Sequence, residues 1–349
     1  MKRFFALLGI FVITIFLGVL LTIGVHYNDT KQNQSAETSQ NQRKLVTSFE
    51  PVYVIVSRLT EGSDYYQISN LTSEHTGCLH EYQLTTDNMK QLESADLFFV
   101  NGGGMEGFLE EVAKQYDDLV ICNISENLEL QEEEEHAEHD AEADGHDEHD
   151  ADVHEHEVLD EHEEHDEHEG HVHSHEYNAH FWMNPEQYLL QIDKAAEILV
   201  QNDPENASIY QKNAQNYKAE VDAVGHRMKE KLGTLSGAKV ISFHEAFEPL
   251  AEYLGIEVLK TVDLDGEVNL SAGDIGEIVR LIQEEGVSFI WMENNTAEKF
   301  MDTVIKETGV TVIELDTLTG KPENEKNAYI DGMLSNIIAL EEMTGTYGS

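Results

Sequence analysis

Residues 203–233 read DPENASIYQKNAQNYKAEVDAVGHRMKEKLG and predict the central element of the fold. Asp203 is a favourable N-cap, Pro204 suits the first helical position, and Gly233 closes the segment. Inside it, apolar residues recur at spacings of three and four, which indicates one continuous helical face: Tyr210, Ala214, Tyr217, Val221, Val224 and Met228. At 1.5 Å per residue this helix spans about 40 Å, the height of a domain.

Short apolar runs alternate with amphipathic segments on both sides of this helix. The segments before it are 65–71, 86–95, 96–101, 105–115 and 119–123, and those after it are 239–243, 245–254, 256–262, 271–285, 287–293, 297–308, 310–315 and a last helix over 324–343. Alternating strand and helix signals indicate α/β units with mainly parallel sheets. The sequence therefore predicts an α/β fold of two lobes joined by one long rigid helix, which favours limited hinge motion.

The N-terminus predicts export. Met1-Lys2-Arg3 precedes an uncharged, mostly apolar run over 4–25 that is long enough to cross a bilayer. No Ala-x-Ala site and no nearby lipidation cysteine follows, so retention as an anchor is favoured over cleavage. We therefore expect a protein anchored at, or secreted to, the extracytoplasmic face of the bacterial cytoplasmic membrane. The predicted organisation is a signal or anchor (1–27), a flexible tether (28–44), a first lobe (45–202) with a disordered loop (131–176), the linking helix (203–233) and a second lobe (234–349).

A tract from His136 to His175 holds twelve histidines among aspartates and glutamates, without lysine or arginine. Imidazole is a common ligand for zinc, copper and nickel, and flanking carboxylates hold cations nearby. Six histidines are closely spaced, so pairs can chelate without a fixed fold, and we predict weak secondary metal sites there: His162, His165, His168, His171, His173 and His175. The net charge of −48 argues against binding to nucleic acid or anionic membrane surfaces. The alternative interpretation is an acidic solubilising insert.

A glycine-rich motif and two cysteines are weaker indications of function. Residues 102–107 fit the pattern G-x-G-x-x-G, but the following strand ends in Asn123 rather than in the acidic residue of a dinucleotide site. We therefore expect a tight turn between a strand and a helix. Cys78 and Cys122 are the two cysteines of the chain, and their spacing leaves both a disulfide and two free thiols open.

Three isolated histidines and one aspartate follow predicted strands or lie in loops: His80, His180, His244 and Asp316. In open α/β sheets, ligands bind beyond the carboxyl ends of the strands. Residues from both units can therefore meet in one cleft. Each alone is more often structural, and their shared placement indicates a metal site.

Four local patterns carry a resemblance to a known family. They are GCLHEYQL (77–84), HFWMNP (180–185), FHEAF (243–247) and LDTL (315–318), with NGGGME (101–106) after the first. In this order they resemble the solute-binding subunits of bacterial zinc and manganese ABC importers, also described as adhesin-like metal-binding lipoproteins. The resemblance covers about residues 45–349. Many members carry Asp-Pro where this chain has Cys78-Leu79, and many keep a lipidated cysteine that is absent here.

The resemblance implies a metal cleft between the lobes, with His80, His180 and His244 as the first three ligands and Asp316 as the best match for the fourth. It implies zinc as the transported ion, because zinc-binding members carry histidine at the third place and manganese-binding members carry glutamate. Tetrahedral zinc also suits three imidazoles and a carboxylate. The implied partner is an ABC permease with a cytoplasmic ATPase. The tract lies before His180, as in zinc-binding members, and we expect it to collect or sense zinc.

Alternatives remain within and outside this class. The same binding protein and importer could transport manganese or nickel. A zinc hydrolase would keep one coordination position open for water and use Glu245 or Glu81 as its base, but a fourth ligand from Asp316 closes the site. An adhesin or a metal-storage protein would depend on the tract alone, so that removal of the three isolated histidines would leave metal affinity unchanged.

Overall fold

The computed structural model describes residues 42–73, 79–80, 82–128, 178–262, 270–287, 289–293, 301–322 and 324–347. The predicted signal or anchor, nearly all of the tether, the histidine tract with its six secondary sites, Cys78 and Glu81 lie outside these residues. In the described part of the chain, no helix has the length and apolar character needed to cross a membrane.

The first lobe is built on a four-stranded sheet: β1 (Arg43–Thr47), β2 (Tyr66–Asn70), β3 (Leu97–Val100) and β4 (Val120–Asn123). Its order is β2-β1-β3-β4 with all pairs parallel, as the alternating pattern predicts. The helices that accompany it include α1 (Glu50–Thr60), α2 (Thr86–Glu93), α3 (Leu109–Gln115) and α4 (Pro185–Asn202). Strand β1 begins at Arg43, so the last two residues of the predicted tether, which ends at Lys44, belong to the sheet.

The linking helix is α5 (Ala207–Leu232), between short 3-10 turns at Pro204–Asn206 and Gly233–Leu235. Its predicted apolar stripe is buried along its whole length, so one helix is confirmed there. The first turn is 3-10 rather than α-helical. Asp203 Oδ2 accepts hydrogen bonds from Asn206 Nδ2 at 2.7 Å and from the Tyr210 hydroxyl at 2.5 Å, and both bonds hold that turn against the helix.

The second lobe repeats the topology of the first. Its strands are β5 (Lys239–Ser242), β6 (Glu257–Thr261), β7 (Phe289–Glu293) and β8 (Thr311–Leu315), in the parallel order β6-β5-β7-β8. Its helices are α6 (Glu248–Leu254), α7 (Ala272–Glu285), α8 (Met301–Thr308) and α9 (Ala328–Tyr347). In each sheet the strand order reverses beside the first strand of the lobe, which is where open α/β sheets bind their ligands.

One continuous apolar core joins the two lobes through α5. Three buried tyrosines meet at this junction: the rings of Tyr188 and Tyr329 stack at 3.8 Å, and the Tyr188 and Tyr217 hydroxyls are 3.0 Å apart. Arg58 of α1 binds both carboxylate oxygens of Glu220 at 2.7 Å and donates to the carbonyl of Lys326, just before α9. The junction is therefore packed and hydrogen-bonded, which agrees with the limited hinge motion expected from the sequence.

Candidate metal centre

A glycine turn follows β3 and forms one wall of the candidate site. Gly102, Gly103 and Gly104 have φ values of 87°, 63° and 84°, a left-handed conformation that favours glycine. The turn continues to Phe108, so α3 begins at Leu109 and the helix predicted from residue 105 starts four residues late. The reason is Glu106, whose carboxylate folds back and accepts hydrogen bonds from the backbone N–H groups of Asn101 and Gly102 at 2.7 and 3.1 Å.

This turn is anchored in the protein interior. Glu106 is buried, and burial raises the pKa of its carboxyl above the usual value, although the two backbone N–H donors oppose that shift. The Asn101 side chain donates to the carbonyl of Ala179 at 2.9 Å and accepts from Gln191 Nε2 at 2.9 Å. The glycine motif thus holds the backbone next to His180, a structural role that confirms the expected tight turn.

The same turn packs against the backbone of His80 and against the two neighbours of His180 in the chain. A Cβ atom on Gly103 would lie 2.7 Å from the Phe181 ring, beside His180. A Cβ atom on Gly107 would lie 2.2 Å from the carbonyl oxygen of His80. Neither position has room for a side chain, so the glycines let the turn pack closely against the Phe181 ring and the His80 backbone.

His244 comes from the second lobe, two residues after β5. It begins a 3-10 turn over Glu245–Phe247, and its Nδ1 accepts a hydrogen bond from the backbone N–H of Ala246 at 3.1 Å. Because that N–H can only donate, Nδ1 of the neutral ring carries the lone pair and Nε2 carries the proton. To coordinate a metal through Nε2, His244 must carry its proton on Nδ1 instead and give up this bond, which contributes on the order of 1 kcal/mol.

The three histidines meet across the cleft. The His180 ring centroid lies 5.5 Å from that of His80 and 5.6 Å from that of His244. His180 and His244 are buried, and the His80 side chain is 17% exposed, so metal would reach the group from the side of His80.

A carboxylate from the second lobe completes a group with metal-binding geometry. His80, His180 and Glu245 each place one ligand atom within 4.8 Å of the others. His80 Nε2 and Glu245 Oε1 are 3.2 Å apart. Two ligand atoms of a tetrahedral zinc ion with bonds of 2.0–2.1 Å are separated by about 3.3 Å, so this pair is already at a suitable distance.

Asp316 follows β8 as predicted but does not belong to that group. Its Oδ1 accepts from the backbone N–H of Leu318 at 2.8 Å, and Asn336 holds its backbone N–H and carbonyl. Leu318 has φ 64°, an uncommon conformation for a branched residue, so this loop is strained. The Trp182 indole donates to the carbonyl of Thr317 at 2.8 Å, which places the Asp316 loop against the His180 loop.

A further carboxylate lies on the second-lobe side. Glu293, at the end of β7, accepts from the Thr317 hydroxyl at 2.7 Å, and its Oε2 is 3.9 Å from His244 Nε2. Neither residue is a predicted ligand: Glu293 is not among the predicted site residues, and Glu245 is predicted only as the base of the alternative hydrolase. Glu293 is the last residue of one apolar strand and Glu245 lies three residues after another, so both share with His244 and Asp316 a place at the carboxyl end of a strand.

Cys122 is a buried free thiol in β4. Burial raises its pKa to about 12. Within the part of the chain that the structure describes, Cys122 does not belong to the group of ligand atoms around His80 and His180.

The chain matches the family described as "ZnuA: Zinc-uptake complex component A periplasmic" over residues 45–343. It is 26% identical over 315 residues to the high-affinity zinc uptake system protein ZnuA of Bacillus subtilis, covering 88% of this chain and 89% of the relative. It is also 26% identical to the zinc-binding protein AdcA of Streptococcus pyogenes serotype M3, covering 89% of this chain. The chain spans 58% of the length of that second relative.

Solved structures share the fold. The solute-binding protein FpvC of Pseudomonas aeruginosa, determined in complex with Mn²⁺, superposes with a TM-score of 0.65. The two chains are 17% identical, and the match covers 86% of this chain and 97% of FpvC. At this identity the similarity supports the two-lobe α/β architecture.

Proposed function

The chain belongs to the family of zinc-uptake complex component A proteins, and on that premise we propose that it is the extracytoplasmic solute-binding protein of a zinc importer. It captures Zn²⁺ between its lobes and delivers the ion to a membrane permease driven by a cytoplasmic ATPase. It is a transport component and not an enzyme. The hydrolase alternative, with Glu245 as the base, therefore gives way to a role for Glu245 beside the ion.

The observation that carries this proposal is the convergence of three imidazoles from both lobes. His80 and His180 are held by the first lobe, whereas His244 extends from the end of β5 in the second, and neighbouring rings are 5.5 and 5.6 Å apart. Neutral imidazoles with one carboxylate suit tetrahedral zinc, while manganese prefers more oxygen ligands. The donor set therefore favours zinc over manganese.

The proposed site has His80, His180 and His244 with a carboxylate in the fourth place. Asp316 is the residue that the sequence predicts for it, and Glu245 is the carboxylate that lies 3.2 Å from His80. Asp316→Asn and Glu245→Gln separate these two possibilities, because removal of the charged ligand lowers zinc affinity more than removal of a neighbour.

We propose that the histidine tract from His136 to His175 collects or senses zinc for the cleft. Its last histidine lies five residues before His180, so metal bound there is tethered close to the tight site. Fixing the backbone of a residue costs about 1–2 kcal/mol, and an acidic tract cannot offset that cost by burying an apolar core, so its sites should be weaker and exchange faster than the cleft. The N-terminal apolar run is proposed to serve as an export signal or membrane anchor.

The test is a zinc titration of the metal-free protein against a competing chelator, repeated with manganese and nickel. The proposal predicts one tight zinc site that is lost in His180→Ala and retained in His226→Ala. His226 is a suitable control because it lies on α5 with a side chain that is 77% exposed. Deletion of residues 131–176 should remove the weak sites and keep the tight one. Tight binding that survives His80→Ala, His180→Ala and His244→Ala would instead support a storage protein.

A further inference from the structure

Asn178 lies between the histidine tract and the candidate metal site, and its side chain contacts both lobes. Its Oδ1 accepts from the backbone N–H of His180 at 3.1 Å and lies 2.8 Å from His180 Nδ1. Its Nδ2 donates to the carbonyl of Glu245 and to Glu248 Oε2, both at 2.9 Å. Glu248 is the first residue of α6, so one amide group joins the His180 loop to the loop that carries His244 and Glu245.

These contacts fix the orientation of the amide. The carbonyl of Glu245 and the carboxylate of Glu248 are acceptors, so they require the NH₂ group of Asn178 on their side. The backbone N–H of His180 is a donor and requires the amide oxygen on the other side. The atom that faces His180 Nδ1 is therefore an acceptor, and a reversed amide would place like groups against each other at three contacts.

An acceptor at Nδ1 determines the tautomer of a neutral histidine. Nδ1 must carry the proton that it donates to Asn178, and Nε2 is left with the lone pair that a metal requires. Ligand histidines generally donate their second ring N–H to such a partner, which fixes both the tautomer and the ring orientation.

We propose that Asn178 is a positioning residue for zinc capture: it holds His180 as the Nδ1–H tautomer, which leaves the lone pair on Nε2, and it ties that ring to the second-lobe ligand loop. Glu245 Oε1 lies 3.9 Å from the same Nδ1, so Asn178, at 2.8 Å, is the nearer of the two acceptors. The inference rests on the proposed zinc site. It adds that one side chain prepares the His180 ring and links the two halves of the site before the ion arrives.

Two substitutions separate the two functions of the amide. Asn178→Ala removes the acceptor and the donor together, and zinc affinity should fall about 10- to 100-fold, the usual effect of losing a partner of a ligand histidine. Asn178→Asp keeps an acceptor for His180 but sets a carboxylate against Glu248. The second change Glu248→Gln restores a donor between those positions, so Asn178→Asp/Glu248→Gln should recover most of the affinity that Asn178→Asp loses.

Asn213→Ala is a matched control. The Asn213 amide also donates two hydrogen bonds across elements, to the carbonyls of Leu59 at 2.9 Å and Glu61 at 2.8 Å, but it joins α5 to the end of α1 rather than to the metal site. Asn213→Ala should lower the free energy of unfolding without changing the zinc affinity. The affinity of each variant is measured with less than one zinc ion per chain, so that the tight site fills first.

The tautomer is read directly from long-range ¹H–¹⁵N correlation spectra of the metal-free full chain, with the His180 signals identified by their absence in His180→Gln. The proposal predicts the Nδ1–H form in the wild type and in Asn178→Asp, and exchange between tautomers in Asn178→Ala. An Nε2–H ring in the wild type, or unchanged tautomer and affinity in Asn178→Ala, would overturn it. Absence of tight zinc binding by the wild type would instead refute the proposed function, and the metal-free spectra would still report on Asn178.

Discussion

Substitution of Gly107 by alanine tests whether the glycine turn determines the position of His80. A Cβ atom at this residue would lie 2.2 Å from the His80 carbonyl oxygen, whereas real Cβ atoms essentially never approach closer than 3.0 Å. The His80 backbone or the turn must therefore move by at least 0.8 Å. The turn is held by Glu106 and Asn101, so we expect His80 to absorb most of the displacement.

The size of the effect follows from the tolerance of a metal site. Binding groups must be held within about 0.5 Å of their productive positions, and a misplacement of about 1 Å can cost a factor of about 100 in a preorganised site. We therefore expect Gly107→Ala to weaken zinc binding about 10- to 100-fold, or about 1.4–2.7 kcal/mol.

The assay is competition for zinc against a chromophoric chelator, with thermal unfolding of the metal-free protein measured in parallel. Gly276→Ala is the control, because Gly276 is exposed in α7 and an added Cβ would meet no atom within 4 Å. The control should keep its affinity and gain about 0.5–1 kcal/mol of stability from the helix-favouring residue. Wild-type affinity in Gly107→Ala would refute the idea that the turn positions His80.

Three further predictions concern stability and reactivity. Arg58→Leu should lower the free energy of unfolding in urea by about 2–3 kcal/mol, because it breaks the bidentate pair with Glu220 and the bond to Lys326; wild-type stability would contradict an anchoring role. Burial raises the pKa of Glu50 from 4.5 to about 7, so the folded state favours the protonated form, and metal-free wild type should lose up to about 3 kcal/mol relative to Glu50→Gln as pH rises through this window. A constant difference between the two would contradict it. In Cys78→Ser protein, Cys122 should react with a thiol reagent at pH 8 only after unfolding, and rapid labelling of folded protein would show that its thiol is accessible.

The sequence predicts the linking helix and the parallel sheets well, because these elements carry a regular apolar period. It predicts no helix at α1, whose sequence EPVYVIVSRLT is rich in β-branched residues that favour strands. Burial overrides that preference, since α1 packs between the first sheet and α5 with most of its residues enclosed. Helix α4 also went unpredicted, although Asn184 caps it and Pro185 opens it.

In the candidate site, too, some residues can be predicted from the sequence and others cannot. The three histidines are predicted from their places at strand ends or in loops and from the family resemblance, and the fold brings their rings together. Which carboxylate joins them could not be predicted, because that depends on the loop path. Asp316 is held by the backbone of Leu318, whereas Glu245 is brought towards His80 by the 3-10 turn that follows β5. Asn178 has a local signal, since an asparagine two residues before His180 can accept its backbone N–H in an Asx turn.

Native mass spectrometry with elemental analysis tests the central claim most directly, on chains that lack residues 131–176 and have been loaded with excess zinc and then dialysed. We predict one retained zinc ion per chain in otherwise wild-type protein, and none when His80, His180 and His244 are all replaced by alanine. Retention of zinc by the triple variant, or its complete loss on removal of the tract alone, would contradict a tight site built between the lobes.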